Sequence, residues 1–139
     1  MTTSVIIPTK NEVVGVREIL TKIDRAWAEE WFLIDGNSTD RTIQEAENLG
    51  FEVIQQTGKG LSNAYREGVN HASGENILFF SPDGNAEPND IPKLIKKMVD
   101  GNYDIVQISR FGKEGISEDD TIITAFGNRM FTFLVNVFF

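Results

Sequence analysis

Phe80 closes a short apolar run, Ile77-Leu78-Phe79-Phe80, and the chain continues Ser81-Pro82-Asp83-Gly84-Asn85. An acid placed just past a buried strand, with a turn behind it, can ligate Mg²⁺ or Mn²⁺ bridging the phosphates of a substrate. Asp83 is the candidate ligand, Asn85 offers a neutral amide oxygen, and Ser81 stands where a second carboxylate would be most useful. Two further segments have the same character. Pro8-Thr9-Lys10-Asn11-Glu12 follows the apolar Ser4-Val5-Ile6-Ile7, and Asp35-Gly36-Asn37-Ser38-Thr39-Asp40 follows Trp31 to Ile34. Gly58-Lys59-Gly60 adds backbone N–H groups and an ammonium suited to an anion, although Gly-Lys-Gly alone is a weak signal.

The elements that must position these groups alternate along the chain. Residues 3–8 read as a buried strand, and apolar side chains at helical spacing from Val13 to Ile23 predict an amphipathic helix over Asn11 to Asp24. Trp31 to Ile34 is a second strand. Thr39 to Leu49 reads as a helix that Ser38 or Thr39 can cap, ended by Gly50 where a left-handed residue is needed. Phe51 to Gln55 is a third strand, Leu61 to Ala72 a helix, Ile77 to Phe80 a fourth strand, and Pro88 to Val99 a helix with Pro92 in its first turn. Tyr103 to Ile108 reads as a fifth strand. Such alternation predicts a Rossmann-like three-layer α/β sandwich, its sheet mostly parallel with helices on both faces. In that arrangement the ends of the first, second and fourth strands share one edge, and their side chains meet in one crevice.

Composition narrows the ligand. The chain has 139 residues, 40% hydrophobic and 24% charged, as expected of one globular domain. A formal net charge of -8 argues against a nucleic-acid surface, so an anionic substrate needs local basic residues or a cation. Without cysteine there is no disulfide, thiolate zinc site or thiol nucleophile, which fits a reducing compartment such as the cytoplasm. The segment after Met1 has no basic, then apolar, secretory pattern. No Gly-x-Gly-x-x-Gly follows the first strand and no Gly-x-x-x-x-Gly-Lys-Ser/Thr occurs, so dinucleotide and P-loop signatures are missing.

Beyond Arg110 the character changes. Gly112 to Asp120 is polar and acidic, a loop, and Thr121 to Phe139 is strongly apolar. Asn128, Arg129 and Asn136 interrupt that stretch, which argues against a membrane-spanning helix. The chain divides accordingly into a core over residues 1–120 and an apolar helix over 121–139, for packing, dimerisation or contact with a membrane interface. Its ending in Val-Phe-Phe reads as part of a longer protein.

In order and spacing, these segments resemble the family 2 glycosyltransferases of the GT-A fold, most closely the dolichyl-phosphate mannose synthase-like branch. The resemblance covers nearly the whole chain. It rests on Ser4 to Glu12, on Ile34-Asp35-Gly36-Asn37-Ser38-Thr39-Asp40-Arg41-Thr42, on Gly58-Lys59-Gly60, on the strand ending at Asp83, and on Ser109-Arg110. It implies transfer of a sugar from a nucleotide-diphospho-sugar to a polyprenyl-phosphate or saccharide acceptor at the cytoplasmic membrane face. By position it places Pro8, Asn11, Glu12, Asp35, Lys59, Ser81 and Asp83 around the donor, Asp83 and Asn85 on Mg²⁺ or Mn²⁺, and Arg110 on the acceptor's phosphate. No catalytic base is assigned, since a phosphate acceptor is already an anion.

Three features depart from the family pattern. Ser81 replaces the first acid of the metal motif, Thr124-Ala125 replaces a second basic pair, and the chain stops before the downstream half of the catalytic domain. They motivate an alternative, a truncated or non-catalytic domain that binds nucleotide weakly and serves assembly. Other polar residues have plainer readings. Asp35 either faces the ligand or caps a turn; Asp40 suits a helix N-terminus; Lys10 and Lys59 meet solvent or ligand equally well. His71 reads as a surface residue, Trp27 and Trp31 as packing, and Glu118-Asp119-Asp120 as a solvated loop.

Overall fold

The computed structural model describes residues 1–108 and 122–138. These fall in two compact units, Met1–Val106 and Gln107–Phe139. Arg110, the loop expected over Gly112 to Asp120, Thr121 and Phe139 lie outside the described residues.

In the first unit four parallel strands, β1 (Thr3–Thr9), β2 (Glu30–Asp35), β3 (Glu52–Gln55) and β4 (Asn76–Phe79), form one sheet in the order β3-β2-β1-β4. Ile6 pairs with Phe32 and Phe79, and Ile34 pairs with Ile54. Helices α1 (Val13–Ile19), α2 (Thr42–Asn48), α3 (Leu61–His71) and α4 (Asp90–Gly101) connect or follow the strands. Because successive side chains leave a strand on opposite faces, the sheet builds two cores. Val5, Ile7, Leu33 and Leu78 pack with Val16 of α1, Ala46 of α2 and Ile91 of α4. Ile6, Phe32 and Ile34 pack with Ala64 of α3 on the other face. The crossover through α3 therefore changes face as the chain passes from β3 to β4, and the carboxyl edge beside β1 is the topological switch point.

Several expected elements take different bounds. The first helix is not continuous to Asp24: α1 gives way to 3₁₀ turns at Leu20–Lys22 and Arg25–Trp27, the second capped by Asp24 accepting from Ala26 N. Neither Ser38 nor Thr39 caps the second helix, which starts only at Thr42; Asp40 Oδ1 accepts from Thr42 N at 3.0 Å instead. Gly50 is left-handed as expected, with φ 79°. The fifth strand does not form among the described residues. Tyr103 to Ile108 pairs with no neighbour, and Ile105 is 82% exposed. Side-chain alternation favours extension, but a strand exists only against a partner, and β4 is the sheet's edge here. Trp31 donates Nε1–H to the Arg25 and Ala28 carbonyls at 3.1 Å and meets Phe51 edge-on, the packing role expected of it.

At the opposite edge Glu30 clasps the strand starts. It accepts from Ser4 Oγ at 2.6 Å, from Ser73 Oγ and from Ser73 N, while Ser4 Oγ accepts from Gly74 N. Hydrogen bonding, first from the Ser4 hydroxyl and then from Ser73, lowers the Glu30 pKa from 4.5 to about 2. A depressed folded-state pKa supplies stability above the unfolded value that is lost as pH falls. The melting-temperature advantage of the wild type over Glu30→Gln is therefore expected to hold at neutral pH and to shrink between about pH 4.5 and about 2. A gap constant with pH would show that the clasp contributes nothing through its charge.

The second unit contains α5 (Ile122–Phe138). Phe126, Met130, Phe131, Phe133, Leu134 and Val137 are exposed along it. Among the described residues no helix is long and apolar enough to cross a membrane.

Candidate functional site

At the carboxyl edge of the sheet, β1 and β2 end in loops that lock onto each other. Asn11, left-handed at φ 54°, turns the chain after β1; its N–H donates to Ser38 Oγ and its Oδ1 accepts from Thr39 N, both at 2.8 Å. Glu12 N–H donates to Thr42 Oγ1 at 2.8 Å, and that hydroxyl donates to Asp40. The Thr42 hydroxyl, ahead of three backbone N–H groups, holds the Asp40 carboxyl below the usual carboxylate range. Asp40 is thus structural, as expected, and the backbone of Glu12 is fixed while its side chain remains available.

Strand parity then sorts the acids. Asp35 shares the face of Leu33, is 0% exposed, and spends both oxygens on Ser38, accepting from its N at 2.7 Å and from its Oγ. It caps a turn. Pro8 and Gly36 continue the face of Ile6 and Ile34, toward α3.

The β3 end contributes a third wall. Gln56 N donates to the Asp35 carbonyl, and Gln56 Nε2 donates to the Gly60 carbonyl and Asn63 Oδ1, each at 2.8 Å. Glu67 of α3 accepts from Thr57 N, Thr57 Oγ1 and Gly58 N, so the helix grips the turn that precedes it. Those bonds, the Thr57 hydroxyl first, lower the Glu67 pKa. Gly60 at φ 84° then admits the chain to α3, whose first turn points into the same space as Lys59. At the β4 end, Phe80 N donates to the Ile6 carbonyl and Pro82 is buried against Gly15 of α1. Asp83 Oδ1 accepts from Asn85 N at 3.0 Å across the left-handed Gly84.

Together these walls enclose a cavity of about 610 Å³. Pro8, Glu12, Lys59, Ser81 and Asp83 line it, as do Lys10, Gly36, Asn37 and Gln56. Asn11, Asp35 and Asn85 are not among its lining residues. The first two brace the loops, and Asn85 closes the Asp83 turn through its backbone. Gln56 was not singled out by the sequence, because an amide after a short strand carries no motif; its place on the same sheet edge was the available signal. From the β3 end to the β4 end the site crosses three strand spacings, about 14 Å. An elongated anion fits, met by two lysines and a helix N-terminus on one side and by Asp83 on the other.

His71 accompanies none of this. Its Nδ1 lies 2.9 Å from the Glu67 carbonyl in the last turn of α3, and the ring is exposed. Among the described residues no group of three or more His, Cys, Asp or Glu side chains comes together to hold a metal.

Comparison with known proteins bears on the family and the fold. The family described as glycosyl transferase family 2 matches residues 4–137. The chain is 38% identical over 127 residues to a dolichol-phosphate mannosyltransferase of Pyrococcus furiosus, a match covering 86% of this chain and 36% of that protein. It is 32% identical over 123 residues to an undecaprenyl-phosphate 4-deoxy-4-formamido-L-arabinose transferase of Klebsiella pneumoniae, covering 80% and 37%. Glucosyl-3-phosphoglycerate synthase from Mycobacterium tuberculosis, solved with Mn²⁺, UDP-glucose and glycerol 3-phosphate, superposes with a TM-score of 0.67 at 24% identity, covering 72% of this chain and 40% of that one. That likeness concerns the fold. The chain spans little more than a third of the length of these relatives.

Proposed function

The chain belongs to glycosyl transferase family 2, and on that premise we propose that it forms the donor-binding part of an enzyme moving a sugar from a nucleoside diphospho-sugar to a polyprenyl phosphate. The observation that carries this reading is the cavity itself, which gathers Pro8, Glu12, Lys59, Ser81 and Asp83 at the switch point of the sheet. The two relatives named for lipid-phosphate acceptors favour that acceptor class over a saccharide.

In this reading the nucleotide lies along the strand ends, with its diphosphate at Asp83 and Lys59 beside the donor nearer the β3 end. Pro8 and Glu12 line the donor's path, while Asn11 and Asp35 hold the loops that shape it. The donor set suits Mg²⁺ or Mn²⁺: such cations are commonly bound by one or two carboxylates together with substrate phosphates, and Asp83 Oδ2 has no hydrogen-bond partner among the described residues. Asn85 is the proposed neutral partner. A cation held there would offset charge on the departing diphosphate. The acceptor's phosphate oxygen forms the new bond to the anomeric carbon as the bond from that carbon to the diphosphate oxygen breaks, and the electron pair leaves with the nucleoside diphosphate. No proton needs to be removed. Arg110 is assigned to the acceptor phosphate because its planar fork pairs with phosphate oxygens. The exposed apolar side chains of α5 support a peripheral place at the cytoplasmic membrane face, or a contact between copies.

A second reading, a non-catalytic domain serving assembly, is favoured by the lone carboxylate of the Ser81-Pro82-Asp83 turn. Calorimetric titration with UDP, GDP and their sugars, with and without Mn²⁺ or Mg²⁺, separates the two. Metal-enhanced binding of one nucleotide is expected; no binding to any of them would transfer the case to assembly.

A further inference from the structure

Gln56 is 6% exposed, lines the cavity and uses only half of its amide. Nε2 is committed to two acceptors, the Gly60 carbonyl and Asn63 Oδ1. That fixes the orientation of the group, since reversing it would set Oε1 against the Gly60 carbonyl. Oε1 accepts no hydrogen bond among the described residues. It turns toward Gly36, where an added Cβ would stand 3.4 Å from it, so the missing side chain leaves the carbonyl open to the cavity. Held in place and open to the cavity, it is an acceptor that a ligand's donor can reach in exchange for water.

Its place tells which part of a ligand that is. Gln56 follows β3, the sheet edge opposite the β4 end that carries Asp83, about 14 Å away across three strand spacings. With the diphosphate at Asp83, the far end of a nucleotide is its base. Resting on the nucleotide-sugar reading above, we propose that Gln56 selects the nucleobase, its Oε1 accepting the N–H on the base's hydrogen-bonding edge. Gly36 is the opening through which that edge reaches it.

The test begins with the 139-residue chain titrated with UDP, GDP, CDP and ADP in the presence of Mn²⁺. The tightest binder is then titrated again as two analogues, one with the edge N–H methylated and one lacking the ribose 2′-hydroxyl. Methylation is expected to weaken binding to the wild type about tenfold or more. In Gln56→Met the unmodified nucleotide is weakened by a similar factor and methylation then makes little further difference, a pattern that general loosening of the pocket does not produce. If methylation leaves wild-type affinity unchanged while the 2′-deoxy analogue binds poorly, Gln56 reads the ribose and the inference is overturned, with the donor reading intact. Failure of every nucleotide to bind overturns the donor reading itself.

Discussion

Asp83→Ala is expected to abolish metal-enhanced nucleotide binding and to reduce any sugar transfer or donor hydrolysis by about a hundredfold or more, with the melting transition nearly unmoved. Asp83 is exposed, and its one hydrogen bond among the described residues is the turn closure from Asn85 N. Such a bond contributes about 1 kcal/mol net, so the fold does not depend on it. The site does, because Ser81 beside it brings a hydroxyl where a charge would help, and Asp83 belongs to no group of three or more His, Cys, Asp or Glu side chains among the described residues. Asp83→Asn separates the two contributions. Its amide oxygen can still accept from Asn85 N, which preserves the turn, but the negative charge is gone. Loss of Mn²⁺ dependence in both variants, measured calorimetrically beside thermal melts, assigns the effect to charge. Full Mn²⁺ dependence in either one would remove Asp83 from the metal.

Much of this arrangement was legible in the chain because it depends on local pattern. Ser4 to Ile7 and Trp31 to Ile34 are apolar runs too short for helices and flanked by polar turns, and both became central strands. The Tyr103 to Ile108 segment has equally good β-pattern yet stays unpaired. Pattern records a willingness to extend, whereas pairing depends on which backbone lies alongside, and that is a property of the sheet. The α1 region failed for a related reason: Thr21 and Asp24 offer side-chain oxygens that compete for nearby backbone or turn groups, and the helix breaks into 3₁₀ turns.

The site was legible to the level of strand ends and no further. Alternation of faces decides which residue at a strand end enters the cavity, and a shift of one residue reverses the answer. Asp35 looked like the functional acid of the second strand, but it shares the face of Leu33 and turns to Ser38, while Gly36 beside it lines the cavity. Asn11 was placed in the pocket by position, yet its amide braces Thr39. The same parity that removes Asp35 brings in Gln56, on the face of Ile54. Long-range hydrogen bonds, such as Glu12 N to Thr42 Oγ1, set the loops in register across 30 residues. No local window contains both partners.

Gly15→Ala is expected to injure fold and site together. In an ordinary helix interior the change would help, since alanine exceeds glycine in helix propensity by about 1 kcal/mol. Here a Cβ on Gly15 would lie 1.9 Å from the Pro82 carbonyl oxygen and 3.2 Å from Glu12 Cγ. The first contact is with backbone, which cannot rotate away, so either α1 retreats from the sheet or the Ser81-Pro82-Asp83 turn moves. Overpacking of this kind costs about 1–3 kcal/mol, occasionally more; against a rigid backbone atom the upper end applies, which exceeds the propensity gain by about 2 kcal/mol and lowers the melting temperature by roughly 4–8 °C. Functional loss should exceed what that destabilisation explains, because the displaced turn carries Asp83 and the helix begins beside Glu12. At a temperature where the variant remains folded, Mn²⁺-dependent nucleotide affinity is therefore expected to fall with that of Asp83→Asn, while affinity for the nucleoside alone changes little. A variant that melts higher than the wild type and binds normally would mean that α1 and the Asp83 turn are not in contact. Close approach at one glycine would then have no part in joining the two ends of the site.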